Sequence, residues 1–147
     1  MKQIPETENA PVLRTDFSDQ ATWMEICAEI QKPVGIFRFR ANVEFLDDAE
    51  YEGVSTKELL ELLPDNYNHS FIIIADRTAI SLPEHPLLIV DLYERSGHEF
   101  RAIPSTIQSI ENNLSIGNMD FEEFAEAAEE DGVFRGFPND EQNPWLS

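Results

Sequence analysis

The sequence contains a single cysteine, Cys27, so no internal disulfide can form. Scarce cysteine is usual in a reducing compartment, and no apolar leader follows Met1, so the sequence predicts a cytoplasmic protein without a signal peptide. Long hydrophobic runs are also missing, because none approaches the roughly 18 residues that a membrane span requires. We therefore expect no membrane partner.

Positive charge is scarce as well. The chain has 10 Lys and Arg residues against 29 Asp and Glu, which gives a formal net charge of −19 at pH 7. A field of this sign repels nucleic acid, so we expect no nucleic-acid partner, and it favours a cationic surface. Acidic proteins are also common simply because net charge keeps them soluble, and the composition alone leaves that explanation open.

Sequence motifs for catalysis are absent. The chain has no Gly-x-Ser-x-Gly, no glycine-rich phosphate loop and no His-x-x-x-His pair. The three histidines, His69, His85 and His98, are scattered over predicted loops and turns. No catalytic residue and no bound cofactor is therefore predicted from motifs.

The chain does contain two short, strongly apolar runs rich in β-branched residues, at 71–75 and 87–90. Such runs predict strands buried on both faces, at the centre of a sheet covered by helices. Residues 99–103 follow a turn and are expected to pair back on the second run as a hairpin.

Hydrophobic periodicity predicts the remaining elements. A short strand at 12–15 precedes a helix that opens near Ser18, and Cys27 lies on its apolar stripe. Clean alternation predicts one long half-buried strand at 36–46, with Phe37 and Phe39 on the buried face. A capping box at Ser55 and Glu58 opens the next helix, and two helices, the last running from Asp120 to Gly132, close the chain.

The predicted fold is a single α/β domain at residues 12–137, bordering on α+β. Its mixed sheet has a β-α-β-α-β-β-β-like order, flanked by helices, with two C-terminal helices. Residues 1–11 are expected to be a flexible arm and residues 138–147 a tail.

Carboxylates follow the predicted early strands. Asp16, Asp48 and Asp76 lie just past strand ends, where ligands bind in open α/β sheets. Converging carboxylates are suitable ligands for Mg²⁺, so a metal-dependent enzyme is an alternative function. Aspartate is also frequent where strands end in turns, and this structural explanation stays open.

The final helix is unusually acidic. No basic residue lies between Asn118 and Phe134, and the last acids oppose the helix dipole because they lie near its C-terminus. A broken local rule of this kind can mark function, although a solvated face is the plainer reading. The leading prediction is a non-enzymatic acidic protein that binds a basic protein partner, in an inhibitor or immunity-like role. The predicted contact residues are Glu122, Glu126, Glu129, Glu130 and Asp131.

Three stretches carry a resemblance to a known family: residues 14–18 (RTDFS), 83–86 (PEHP) and 111–124 (ENNLSIGNMDFEEF). Together they resemble a bacterial family of small acidic proteins catalogued as a domain of unknown function. The resemblance spans about Val12 to Phe137. It implies a small bacterial protein and transfers no activity, cofactor or catalytic residue.

Overall fold

The centre of the protein is the strand Phe71–Ala75, with the antiparallel strand Leu87–Asp91 beside it. The computed structural model describes residues 2–93 and 97–137. All five residues of the first strand are buried, as its continuous apolar run predicts. In chain order the strands are β1 Ala10–Arg14, β2 Val43–Leu46, β3 Phe71–Ala75, β4 Leu87–Asp91, β5 Glu99–Ala102 and β6 Val133–Phe134. The helices are α1 Gln20–Gln31, α2 Thr56–Glu61, α3 Arg77–Ser81, α4 Ile107–Leu114 and α5 Phe121–Glu126, with single 3-10 turns at Ala49–Tyr51 and Pro104–Thr106.

The six strands form one mixed sheet in the order β2-β1-β3-β4-β5-β6. β1 pairs in parallel with both β2 and β3, and β4 runs antiparallel to β3 and β5. The short β6 lies parallel to β5 at the far edge. The predicted α/β class and mixed sheet are confirmed.

The two faces of the sheet are covered unequally. α1, α3, α4 and α5 all contribute to the larger apolar core on one face, where Ile26, Ile107 and Phe124 are fully buried. The opposite face is covered by α2, the first 3-10 turn and the N-terminal residues, through Leu59, Tyr51 and Ile4. None of the helices in the described part of the chain has the length and apolar content to cross a membrane.

Residues 2–9, part of the flexible arm predicted at 1–11, contact the smaller core at several points. Ile4 is fully buried, and its N–H donates to the Leu62 carbonyl at 2.8 Å. The Tyr51 hydroxyl donates to the Gln3 carbonyl at 2.9 Å. β1 begins at Ala10, so the boundary predicted between residues 11 and 12 falls inside a strand. The predicted tail, 138–147, lies outside the described residues.

The prediction of one long strand at 36–46 is wrong. Only Val43–Leu46 is a strand, at the sheet edge, and residues 34–39 form a small separate hairpin. Val34 and Phe39 exchange two backbone hydrogen bonds of 2.8 and 2.9 Å, and Gly35 and Arg38 turn the chain with positive φ angles of 76° and 58°. Phe37 and Phe39 are therefore 45% and 38% exposed. Polar and apolar residues alternate in a hairpin arm as they do in a strand, and for this reason periodicity did not distinguish the two.

Three further differences concern short elements. α3 and β6 were not predicted, because five and two residues are too short to show a period. The last helix ends at Glu126 rather than at Gly132. Its predicted start is confirmed, since Asp120 and Glu123 form a capping box.

Candidate functional site

The ends of β1, β2 and β3 meet at one edge of the sheet, because these three strands are parallel. α1, which follows β1, packs on one face of the sheet, whereas α2, which follows β2, packs on the other. Connections that leave adjacent strands toward opposite faces open a crevice at the strand ends, where ligands bind in open α/β sheets. A cavity of about 370 Å³ lies there. Its lining comes from residues 15–18, 52–54 and 76–78.

Two of the three aspartates predicted as metal ligands, Asp16 and Asp76, line this cavity, together with Glu52 and Arg77. Asp48 does not line it; its carboxylate pairs with the Lys2 ammonium at 2.6 Å and accepts a hydrogen bond from the Glu50 N–H at 3.0 Å. Asp16, Asp48 and Asp76 are not among the groups of three ligands that lie within 4.8 Å of one another in residues 2–93 and 97–137. The magnesium site therefore stays a prediction that this geometry does not favour.

Each of these aspartates also has a local structural role. Asp16 accepts hydrogen bonds from the Ser18 hydroxyl and backbone N–H, and the hydroxyl bond is the main cause that lowers the pKa of Asp16. Asp76 caps α3 through the Ala79 N–H and receives two bonds from Arg101, at 2.8 and 3.0 Å. Turn formation and helix capping thus explain why aspartate occurs at these strand ends.

The second candidate surface is the acidic segment, defined here as residues 120–131. Phe121 and Phe124 are buried in the main core, and Ala125 and Ala128 pack against it. The acidic side chains consequently face outward, as the helical stripe predicts. The five acids expected to contact a partner are all exposed: Glu122, Glu126, Glu129, Glu130 and Asp131.

The acidic segment has a counter-charge that its own sequence does not contain. Arg135 lies 3.1 Å from Glu129 and 2.7 Å from Asp131, and it also pairs with Glu84 at 2.8 Å. The hydrogen bonds from Arg135 are the main cause that lowers the pKa of Asp131 and of Glu84. Because α5 ends at Glu126, Glu129 and Asp131 lie in the following turn, so the predicted conflict with the helix dipole does not arise there.

Not every acid in the segment is paired in this way. His98 Nδ1 lies 2.8 Å from Glu122 Oε1, and Glu123 closes the capping box. Within the described ranges, no cationic group lies within ion-pair distance of Glu126 or Glu130. These two carboxylates are the part of the segment most open to a foreign cation.

Both surfaces lie within the part of the chain that matches a known protein family. The model of a domain of unknown function, DUF6924, matches residues 9–137. The chain belongs to this family. The match confirms the resemblance to a family catalogued as a domain of unknown function, and it includes the strand-end crevice, the acidic segment and Arg135. No curated protein matches the chain.

Sequence reasoning about this DUF6924 chain missed Arg135 because it lies beyond the predicted end of the last helix. It also missed the pairing of His98 with Glu122, 24 residues away. His98 lies just before β5, and Glu122 lies in the first turn of α5. No local pattern links the two elements, because their contact depends on how α5 docks on the sheet.

Proposed function

We propose that this protein is a non-enzymatic, cytoplasmic binding protein of bacterial origin whose acidic segment engages a basic surface on a partner protein. The observation that carries the proposal is the charge of this segment. Seven carboxylates lie between Asp120 and Asp131, without a Lys or Arg among them. Arg135 neutralises only part of that charge.

The support beneath the segment favours recognition of a defined partner. Phe124 packs edge-on against Phe134, with 5.4 Å between ring centroids, and Phe121 packs against Phe100 at 5.0 Å. A surface fixed in this way loses little conformational entropy on binding. An array of one sign on a rigid support mainly increases the rate of association with a surface of the opposite sign. An inhibitor or immunity-like role is one use of such a surface.

The proposal is tested by reversing charge at the two carboxylates that no cation of the described chain pairs with. We expect Glu126→Lys with Glu130→Lys to leave the fold intact and to slow association with a basic partner by about tenfold or more at low salt. The measurement is affinity capture from the native cell, followed by stopped-flow association with each captured basic protein at several salt concentrations.

A charge-matched control separates this surface from net charge. Glu6→Lys with Glu61→Lys changes the net charge by the same amount, but Glu61 lies on α2, which covers the opposite face of the sheet. We expect the control to keep its captured partner and to lose association rate only modestly. Equal loss in both double variants would mean that the acidic segment has no special role and would overturn the proposal.

A further inference from the structure

Three potential metal ligands converge at the end of the sheet opposite the crevice. Asp91 ends β4, His98 immediately precedes β5, and Glu122 lies in the first turn of α5. One ligand atom from each lies within 4.8 Å of the other two, and no other trio of His, Cys, Asp or Glu in residues 2–93 and 97–137 has this property. The cluster lies outside the strand-end crevice and was not predicted from the sequence.

The three side chains are held by elements that cannot easily separate. β4 and β5 are paired, and the Asp91 N–H donates to the His98 carbonyl at 2.8 Å. Each ligand also has a buried residue within two positions of it in the sequence, because Val90, Phe100 and Phe121 are all part of the core. The Phe100 and Phe121 rings pack against each other and so fix α5 over the start of β5. The backbone positions of the three ligands are therefore set before a metal binds, which favours a metal site.

The donor set identifies the class of metal. One imidazole with two carboxylates suits Zn²⁺ and similar transition metals, whereas Mg²⁺ and Ca²⁺ prefer oxygen ligands alone. Ligand atoms about 2.0–2.2 Å from a tetrahedral Zn²⁺ lie roughly 3.3–3.6 Å from one another. His98 Nδ1 and Glu122 Oε1 are 2.8 Å apart, so a small outward movement of these two exposed side chains brings this pair to that spacing, and an Asp91 carboxylate oxygen lies within 4.8 Å of a ligand atom of each.

We propose that Asp91, His98 and Glu122 form a binding site for Zn²⁺, with water completing the coordination. Zinc there would tie the β4–β5 hairpin to α5 and would lower the negative charge at the N-terminal end of the acidic segment. The site goes beyond the proposed function, because it requires no partner protein and is measured on the isolated chain.

The test is a titration of the full chain with Zn²⁺, and with Co²⁺ as a visible-absorption probe. We expect one saturable equivalent of Zn²⁺, a higher thermal unfolding midpoint, and a d–d spectrum of Co²⁺ that Zn²⁺ removes. Mg²⁺ at the same concentration should cause no shift. His98→Ala and Glu122→Gln should each weaken Zn²⁺ binding by about tenfold or more.

Glu126→Gln is the matched control, since Glu126 is an exposed acid of the same helix outside the cluster, and it should bind Zn²⁺ as the wild type does. His98 and Glu122 are 67% and 55% exposed, so their substitution should leave the circular dichroism spectrum unchanged. Asp91→Asn keeps the size of the side chain and removes its charge, and it should also weaken Zn²⁺ binding. Absence of saturable binding by the wild type, or equal affinity in wild type and His98→Ala, would overturn the proposal.

Discussion

At the scale of single residues, Cys27 illustrates how packing decides reactivity. It lies on α1 against the main core and is half-buried. Burial is the main cause that raises the pKa of its thiol to about 11, and the nearby Asp47 carboxylate adds to this. Because the thiolate is the nucleophile, Cys27 should be nearly inert at neutral pH.

We expect iodoacetamide to label native Cys27 far more slowly than the unfolded chain at pH 8, with the native rate rising only as the pH approaches 11.

Between the ordinary thiol pKa and about 11, the folded state keeps a proton that the unfolded state loses, so stability should fall as pH rises through this window. Urea unfolding at pH 8 and pH 10.5 measures this fall. Cys27→Ala is the control, because burial also raises the pKa of Tyr51 and Tyr67, and these remain in the variant. Rapid native labelling at pH 8 would contradict the expectation.

Residues of the candidate sites differ in how far the sequence could reveal them. Asp16, Asp76 and the outward-facing acids of α5 were found because strand ends and helical stripes are local patterns. Arg135 was not found as the counter-charge of Glu129 and Asp131 because it lies beyond the predicted end of the last helix, and its third partner, Glu84, is 51 positions away. The cluster of Asp91, His98 and Glu122 was missed because two strands and one helix bring its members together. No spacing in the sequence predicts such a cluster.

At the scale of elements, sequence periodicity was reliable where a segment was long or uniformly apolar. β3, β4, α1 and the capped starts of α2 and α5 were predicted because burial and capping leave local signals. The 34–39 hairpin was mistaken for part of a strand, because the two positive φ angles that turn it fall on one glycine and on Arg38, which does not usually mark a turn.

The same substitution at two isoleucines tests this assignment of elements. Ile73 in β3 is fully buried, whereas Ile36 at the hairpin turn is 71% exposed. Truncation of a buried isoleucine removes apolar contacts and leaves a cavity, so Ile73→Ala should lower the free energy of unfolding by about 2–5 kcal/mol. Ile36→Ala should change it by less than about 0.5 kcal/mol, as for surface positions generally. Urea denaturation of both variants is the measurement, and comparable losses would show that residues 34–39 are not an exposed hairpin.

At the scale of the whole molecule, the excess of carboxylates opposes folding. The formal charge of −19 leaves most acids without a basic counterpart, and compaction brings like charges closer together. The exposed ion pairs, such as Lys2 with Asp48 and Lys32 with Glu29, act in the opposite sense, but water and salt screen them, so each contributes little to stability. Repulsion should therefore dominate the response of the fold to salt.

We expect the thermal unfolding midpoint to rise as NaCl increases from 10 to 150 mM, because the screening length shortens from roughly 30 Å to about 8 Å. The rise should flatten beyond that range, since the remaining repulsion acts only between near neighbours. Differential scanning calorimetry measures the midpoint, and sucrose at equal osmolarity controls for general solute effects. The Glu126→Lys and Glu130→Lys variant should show a smaller rise than the wild type, because two negative charges are replaced by two positive ones. A midpoint that falls as NaCl increases would contradict this expectation. It would mean that the ion pairs contribute more to stability than the repulsion removes, above all the contacts of Arg135 with its three carboxylates.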